Sequence, residues 1–220
     1  ARALPLAFRA AGDAPVWADM HEWAPEERTH VLSWRLLVAP LMDHLCREYL
    51  PKAAAVTTVG AEIADLYHQR YGVRPQLVRN AARFADLTPS DPAPDGAIRL
   101  VHSGGAVPGR NIDGMIRAVR EADPRFTLDL FLVPANDGGR YLAQLREIAG
   151  DDPRIRFHDP VLPHELPAAL NAYDVGIYWI PPTNTNARLA LPSKLFDFIQ
   201  GRLAIAVGPT SEMRRIVKQF

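Results

Sequence analysis

The segment ALPSKLFDFIQGR, residues 190–202, carries a lysine and an aspartate three positions apart in a mostly apolar stretch of helical period. Residues i and i+3 lie on one face of a helix, so Lys194 and Asp197 can point together at one ligand. An ammonium group suits a phosphate, and a carboxylate suits the hydroxyl groups of a sugar. The structural alternative is an exposed helical ion pair worth roughly 0.3 kcal/mol, and the spacing alone leaves both open.

A second candidate anion site is the glycine-rich segment HSGGAVPGRNIDGMIRA, residues 102–118. Gly104 and Gly105 allow the backbone to approach a ligand, and Arg110 stands where a helix is expected to begin. The spacing is close to that of a P-loop, but Arg110 replaces its lysine and Asn111 replaces the hydroxyl residue that holds magnesium. Phosphate is the expected ligand, and a glycine-rich turn with a solvated arginine is the alternative.

The third candidate is His21, in the segment DMHEWAPEE, residues 19–27. His21 and Glu22 follow a predicted strand together, which would place an imidazole and a carboxylate at the end of that strand. A lone histidine is more often a surface residue or a hydrogen-bonded core residue, so the pattern by itself favours the structural interpretation.

Composition and charge narrow the class of protein. The 220 residues contain 25 basic and 25 acidic side chains, so no overall field attracts nucleic acid, and any bound anion must be held locally. A single cysteine, Cys46, excludes an intrachain disulfide and a multi-cysteine zinc site. No run approaches the ~20 apolar residues that a membrane span needs, and no signal sequence is evident, so we expect a cytoplasmic protein.

Short apolar runs alternate with longer segments of helical period, which predicts an α/β fold with parallel strands and helical crossovers. The predicted strands are residues 14–22, 53–60, 76–80, 98–105, 126–134, 154–161, 175–180 and 203–209. The predicted helices are residues 26–50 with a bend at Pro40, then 61–71, 109–122, 140–149, 163–172, 191–202 and a last one from Ser211. Ligands of such sheets bind at the carboxyl ends of the strands, and we expect all three candidate segments at one such edge.

A break in the pattern divides the chain. Residues 81–97 are rich in proline and turn residues, which predicts a linker over 86–97 between a first domain, 1–85, and a second, 98–220. In the first domain, the apolar residues of helix 26–50 would form one wide face: Val31, Trp34, Leu37, Val38, Leu41 and Leu45. Packing of this face in the core is favoured over contact with a lipid or an acceptor.

The order of these segments resembles that of GT-B glycosyltransferases, especially the retaining family 4 type. ALPSKLFDFIQGRLAIAVGPTSEMRRIV resembles their nucleotide-sugar-binding motif, and IRLVHSGGAVPGRNIDGMIRA resembles the first strand, glycine loop and basic helix start of their C-terminal domain. VTTVGAEIADLYHQRYG and VRNAARFADLTP look like the end of their N-terminal domain. The resemblance spans nearly the whole chain, and it implies Rossmann-like parallel sheets of the GT-B type.

The resemblance assigns roles to individual residues. Arg110 and Lys194 fall at basic positions that contact the donor diphosphate, Asp197 falls at the acidic position that holds the ribose hydroxyls, and His21 resembles the active-site histidine that faces the transferred sugar. The sequence departs from the family pattern at three positions. Leu189 stands where a second acid is usual, so the paired-acid pattern that contacts the donor sugar hydroxyls is broken. Arg202 replaces a common glycine, and Ala204 replaces a common proline.

The implied reaction is transfer of a sugar from a nucleoside-diphosphate sugar to an acceptor, with retention. Two fixed cations and a helix N-terminus can stabilise the departing diphosphate, so no metal and no cofactor is expected, and the chain lacks an Asp-x-Asp motif. The acceptor is unknown, with a lipid-linked compound or a growing glycan as candidates and peripheral membrane contact as a minority interpretation. No nucleic-acid partner is expected.

A whole GT-B enzyme is about twice as long as this chain, so the resemblance implies a fragment. We expect an incomplete N-terminal domain followed by a nearly complete C-terminal nucleotide-binding domain, which can bind a donor without turning it over. Three alternatives stay open on the sequence: a GT-B sugar-nucleotide epimerase, a non-catalytic nucleotide-binding or partner-binding module, and a phosphate-hydrolysing P-loop protein, against which Asn111 argues.

Overall fold

The computed structural model describes residues 1–29 and 31–219. The chain forms two compact units, of which the first comprises Ala1–Asn80, Pro182–Leu191 and Thr210–Phe220 and the second comprises Ala81–Pro181 and Pro192–Pro209. Each unit is built of helices around a sheet whose described strands pair in parallel, which confirms the predicted α/β class. The predicted division into domains 1–85 and 98–220, with a linker over 86–97, stays a prediction. The two compact units differ from it in that residues 182–191 and 210–220 group with the first unit.

The helices are α1 (Leu4–Ala11), α2 (Ala39–Tyr49), α3 (Ala61–Tyr71), α4 (Ile112–Glu121), α5 (Arg140–Ala149), α6 (Leu166–Leu170), α7 (Thr185–Arg188), α8 (Ser193–Gln200) and α9 (Ser211–Val217). The strands are β1 (Trp17–Asp19), β2 (Ala55–Thr58), β3 (Gln76–Leu77), β4 (Ile98–Ala106), β5 (Phe126–Pro134), β6 (Ile155–His158), β7 (Val175–Tyr178) and β8 (Ala204–Val207). Short 3-10 turns cover Ala24–Glu26 and Leu50–Lys52, and a π-helical segment, Trp34–Val38, runs into α2.

The helix predicted over residues 26–50 is the largest difference between expectation and structure. Helix begins at Leu32 rather than at residue 26, passes through the π-helical segment and continues as α2 to Tyr49, while residue 30 lies outside the described residues. Pro40 lies in the first turn of α2, where its missing N–H costs nothing within that helix. The hydrogen bond that Pro40 cannot donate to the preceding turn accounts for the wider π-helical turn just before it.

The apolar face expected on this helix does not pack in the core as predicted. Trp34 is buried, but Leu37 is 73% exposed and Leu41 is 49% exposed. Leu32 and Leu36 share this exposure, at 59% and 62%. A π-helical turn holds more residues than an α-helical turn, so the stripe calculated at 3.6 residues per turn is displaced around the axis.

The first unit contains a three-stranded parallel sheet in the order β1-β2-β3. The last helix, α9, is joined to this unit by a buried carboxylate. Glu212 is 1% exposed, and its Oε1 accepts a hydrogen bond from the backbone N–H of Glu62 at 2.8 Å. Gly60 is the N-cap of α3 and has no side chain to satisfy that N–H, so Glu212 caps α3 from a distant part of the chain.

We expect Glu212→Ala to lower the free energy of unfolding by about 1 to 3 kcal/mol, because it removes a helix cap and leaves the N–H of Glu62 without its acceptor. Glu212→Gln keeps an acceptor oxygen, so it should cost less. Urea denaturation measures both, with Glu121→Ala at the exposed end of α4 as the control. A Glu212→Ala variant as stable as the control would show that this cap contributes nothing.

The second unit contains a five-stranded sheet in the order β6-β5-β4-β7-β8. The chain begins at the central strand β4, adds β5 and β6 on one side, then β7 and β8 on the other, so the topology switches between β4 and β7. Gly176 of β7 lets α8 pack closely, because a β-carbon at this position would overlap the ring of Phe198. Phe198 and Leu195 of α8 are fully buried, and this packing fixes the first turn of α8 in the second unit.

Candidate functional site

The predicted basic and acidic residues of the second unit gather at the carboxyl ends of β4 and β7, where the sheet topology switches and where such sheets bind ligands. Gly104 lies in the last three residues of β4 with φ +129°, a conformation that favours glycine. A β-carbon on Gly104 would overlap Cε and Nζ of Lys194, so the absence of a side chain makes room for the ammonium group. Gly105 follows it, paired with Val133 of β5.

Lys194, in the first turn of α8, is only 9% exposed. Its Nζ lies 5.6 Å from the centre of the Tyr178 ring, and it makes no hydrogen bond or ion pair with any residue that the structure describes. Burial lowers the pKa of Lys194 from 10.5 to about 8, with a further contribution from the charge of Arg110, while Asp197 opposes the change. A buried ammonium without a partner is costly, which is a sign of a site for an anion.

Asp197 lies one turn further along α8 and is partly buried. Burial raises the pKa of its carboxyl group, and the charge of Lys194 opposes this increase. Within residues 1–29 and 31–219, the carboxylate forms neither an ion pair with Lys194 nor a hydrogen bond. The exposed helical ion pair that the spacing allows is therefore not formed.

Arg110 lies in the turn before α4, which begins at Ile112 rather than at the predicted residue 109. Its side chain is partly buried, and in the described part of the chain the guanidinium makes no hydrogen bond or ion pair. Asn111 precedes the helix with φ 56°, and its side chain lies against Gly114, where a β-carbon would overlap it. Arg110 and Lys194, two cations without a counterion among the described residues, thus lie in this part of the second unit.

His102 and Tyr178, which were not predicted from the sequence, support this cluster. His102 of β4 is fully buried, its Nδ1 donates to the carbonyl oxygen of Ile177 at 2.9 Å, and its ring stacks on Tyr178 with centres 6.0 Å apart. Burial, helped by the charges of Lys194 and Arg110 and opposed by the hydrogen bond to Ile177, lowers the pKa of His102 to about 4, so the imidazole is neutral at pH 7. A polar residue in an apolar strand just before a glycine pair was the available signal.

His21 belongs to the first unit, so the expectation that all three candidate segments share one edge is wrong: His21 follows the three-stranded sheet, and the other predicted residues belong to the five-stranded one. Its Nε2 lies 2.6 Å from Oδ2 of Asp19, and its Nδ1 lies 3.2 Å from Nδ2 of Asn80. Oδ1 of Asp19 accepts from the hydroxyl of Thr57 at 2.7 Å, and Oγ1 of Thr57 accepts from the indole of Trp17 at 3.0 Å. Sequence analysis did not predict Asp19, Thr57 or Asn80.

The backbone that follows His21 is fixed from two sides within the first unit. The hydroxyl of Tyr67 donates to the carbonyl oxygen of Glu22 at 2.8 Å and accepts from the N–H of Ala24 at 3.2 Å. The side-chain amide of Asn186 accepts from the N–H of Trp23 at 2.7 Å and donates to its carbonyl oxygen at 3.2 Å. The segment is therefore held by α3 and α7, and His21 stands at its beginning.

An open cavity of about 570 Å³ lies in the first unit beside His21. Its lining includes charged residues of both signs: Asp19, Glu22, Glu27, Arg2 and Arg28. Arg2 pairs with Glu27 at 2.8 Å, and the guanidinium of Arg28 lies 5.9 Å from the centre of the Trp34 ring. The cavity is polar and can hold a hydroxylated compound.

Among the described residues, no group of three or more histidine, cysteine, aspartate or glutamate side chains could hold a metal ion. In the same part of the chain, no helix is long and apolar enough to cross a membrane.

Solved structures of the GT-B fold match nearly the whole chain. HepE from Anabaena in complex with UDP-glucose matches with a TM-score of 0.71 and 14% identity, over 98% of this chain and 59% of that one. The alpha,alpha-trehalose-phosphate synthase (UDP-forming) from Burkholderia xenovorans, in complex with glucose-6-phosphate, matches with a TM-score of 0.64 and 12% identity, over 96% of this chain and 58% of that one. Sucrose-phosphate synthase from Thermosynechococcus elongatus matches with a TM-score of 0.63 and 11% identity, over 97% of this chain and 59% of that one.

At these identities the likeness concerns the fold alone, and it confirms the Rossmann-like parallel sheets of the GT-B type. The chain spans 59% of the length of the HepE complex with UDP-glucose, so it is shorter than these proteins by about two fifths. No protein-family model matches the sequence, and no curated protein is similar enough to match it.

Proposed function

We propose that the protein is part of a glycosyltransferase that transfers a sugar from a nucleoside-diphosphate sugar to an acceptor. The second unit binds the donor, and its diphosphate lies beside Arg110 and Lys194. The observation that carries this proposal is a nearly buried ammonium group, that of Lys194, without a counterion in the described chain, next to a glycine that leaves room for it. A diphosphate would supply the missing charge.

The same site accounts for release of the leaving group. When the bond between the sugar and the diphosphate breaks, negative charge grows on the phosphate oxygen, and fixed cations stabilise it without reorganisation. The turn before α4 adds the partial positive charge of a helix N-terminus. We propose that this arrangement needs no metal ion, so chelation with EDTA should leave diphosphate affinity unchanged.

In this proposal, His21 is the active-site histidine that the resemblance to family 4 implies, and transfer proceeds with retention. The structural neighbour HepE has been solved in complex with UDP-glucose, UDP, and UDP with glucose, which supports a nucleotide sugar as the donor class. The stereochemistry is tested by NMR of the first product formed from an α-linked donor by the whole enzyme.

Calorimetry with UDP, GDP and ADP tests donor binding on the 220-residue chain. We expect at least one of them to bind at millimolar concentration or below, and inorganic phosphate to bind more weakly than the diphosphate. If none of the three nucleotides binds, the donor-site proposal fails. A panel of nucleotide sugars given to the whole enzyme, with and without acceptors, then separates transfer from epimerisation, nucleotide hydrolysis and binding alone.

Asp197 tests whether the site recognises a nucleoside rather than phosphate alone. We propose that its carboxylate accepts hydrogen bonds from the ribose hydroxyls. Asp197→Asn should therefore weaken binding of the nucleoside diphosphate about 10-fold, because a charged acceptor is lost. The affinity for inorganic pyrophosphate, which has no ribose, should stay unchanged. Calorimetry with both ligands measures the difference. An equal loss for both would show that Asp197 acts on the phosphates or on folding instead.

The acceptor site is proposed in the first unit, and a lipid-linked acceptor at a membrane surface is one form of it. The exposed leucines Leu32, Leu36, Leu37 and Leu41 support this form, and no acidic residue occurs between residues 31 and 41, where Arg35 is exposed. Co-sedimentation with anionic liposomes should then deplete the protein from solution, and Leu36→Ser with Leu37→Ser should abolish this. A protein that stays in solution with all liposomes has no such contact.

A further inference from the structure

The hydrogen bonds around His21 form a chain in which every donor can be assigned. The indole nitrogen of Trp17 can only donate, so Oγ1 of Thr57 is its acceptor. The single hydroxyl proton of Thr57 is then donated to Oδ1 of Asp19. An ionised carboxylate can only accept, so Nε2 of His21, 2.6 Å from Oδ2, carries the ring proton.

The other ring nitrogen is then unprotonated in the neutral imidazole. Nδ1 lies 3.2 Å from the side-chain nitrogen of Asn80, which donates to it. Both nitrogens of His21 are therefore occupied within the first unit, although nearly half of the side chain, 48%, is exposed. The two partners differ, because one is an anion held in place by Thr57 and the other is a neutral amide at the last residue of the segment Ala1–Asn80.

We infer that Asp19 is a positioning residue that holds His21 as the neutral Nε2–H tautomer, with Thr57 and Trp17 fixing the carboxylate and Asn80 occupying Nδ1. Nδ1 is consequently the nitrogen that a ligand can reach, by displacing a neutral amide rather than an anion. A sugar hydroxyl would donate its proton to Nδ1 in the place of Asn80. This use of Nδ1 rests on the proposed function, whereas the tautomer rests on the hydrogen bonds alone.

NMR of the full chain labelled with ¹⁵N-histidine tests the tautomer, because long-range correlations show which ring nitrogen carries the proton. His21 is assigned among the seven histidines by the signals lost in His21→Gln. We expect a single Nε2–H tautomer in the parent chain at a pH where the ring is neutral. In Asp19→Asn we expect the opposite tautomer, because Thr57 still donates to the amide oxygen and turns the NH₂ group toward Nε2.

Two further variants distinguish the effect of the hydrogen bond from Thr57 to Asp19 from a general disturbance of β2. Thr58→Val makes the same change at the next residue, where the hydroxyl is fully buried and has no hydrogen-bond partner among the described residues, so the tautomer should stay Nε2–H. Thr57→Val combined with Asp19→Asn lets the amide turn either way, so both tautomers should appear. Thr57 and Thr58 are both buried, which makes the two valine substitutions comparable.

The inference is overturned if His21 of the parent chain shows a mixture of tautomers or the Nδ1–H form, or if Asp19→Asn keeps the parent's tautomer. The measurement on the parent chain needs no variant, so it stands even where a variant does not fold. The readout also needs no donor. A chain that shows the expected tautomer but binds no nucleotide would support this inference and contradict the proposed function. A chain that binds nucleotide but shows another tautomer would support the proposed function and contradict this inference.

Discussion

Lys194→Met should make the free protein more stable while it removes diphosphate binding. Lys194 is 9% exposed, and no described residue pairs with it, so the folded state holds a charge that burial disfavours. The lowering of the pKa of Lys194 from 10.5 to about 8 corresponds to a destabilisation of the folded state by at most about 3 kcal/mol. Methionine has similar volume and no charge, so we expect a gain in the free energy of unfolding of about 1 to 3 kcal/mol at pH 7.

The same substitution removes a charge-assisted hydrogen bond to phosphate. Affinity for UDP should fall by about 1.5 to 3 kcal/mol, which is roughly 10- to 150-fold. Lys52→Met is the matched control, because Lys52 forms an exposed ion pair with Glu48 one helical turn away, and its loss should change stability by less than about 1 kcal/mol. A Lys194→Met variant that is less stable than the parent and binds UDP equally well would show that Lys194 has a structural role.

The stability of the free protein should also depend on pH through Lys194. Its pKa is lower in the folded state than in the unfolded state, so between about pH 8 and pH 10.5 the unfolded chain binds the extra proton. Stability contributed by this group therefore rises with pH across that window and is lowest below pH 8, where the folded state must hold the charge. Urea denaturation as a function of pH should show this rise in the parent and a flatter profile in Lys194→Met.

The second large effect is expected from Gly104→Ala. The new β-carbon would overlap Cε and Nζ of Lys194, and φ +129° is strained for any residue other than glycine. The ammonium group must move out of the site, so diphosphate affinity should fall at least about 10-fold, as it does when the charge itself is removed.

Gly150→Ala controls for backbone strain alone. Gly150 also has a positive φ, +59°, but a β-carbon there meets open space at the end of α5. We expect it to cost about 1 kcal/mol of stability and to leave diphosphate binding unchanged. If Gly104→Ala lost stability like Gly150→Ala and kept its affinity, the close approach of Gly104 and Lys194 would have no part in binding.

The sequence predicts best where a structural element depends on its own residues. The periodicity gave α3, β5 and α5 to the residue, because apolar spacing and flanking turn residues are local signals. Of the helix predicted over residues 26–50, residues 32–49 are helical. The helix starts later than predicted, and one missing backbone hydrogen bond at Pro40 changes the helical period, which the 3.6-residue pattern does not record. The helices α1 and α7 were missed altogether, and α7 has only four residues.

The candidate site shows the same limit. Lys194 and Asp197 could be found because both lie on one helix at a helical spacing, and Arg110 because a glycine-rich strand end is recognisable by itself. Asp19 and Thr57 could not be paired from the sequence, since 38 positions separate them and only the alignment of β1 with β2 brings them together. Contacts of this kind come from tertiary packing, which leaves no periodic signal in one sequence.

In the proposed donor site, Lys194 is a buried cation whose counterion is the diphosphate of a nucleotide donor. The chain contains three lysines, Lys52, Lys194 and Lys218, so the chain labelled with ¹³C at the lysine ε-carbon gives few NMR signals to assign. We predict that Lys194 titrates with a pKa near 8 in the free protein, and that saturating UDP raises this pKa while the other two signals stay unchanged. A Lys194 signal that titrates like an exposed lysine, and does not respond to UDP, would contradict the account.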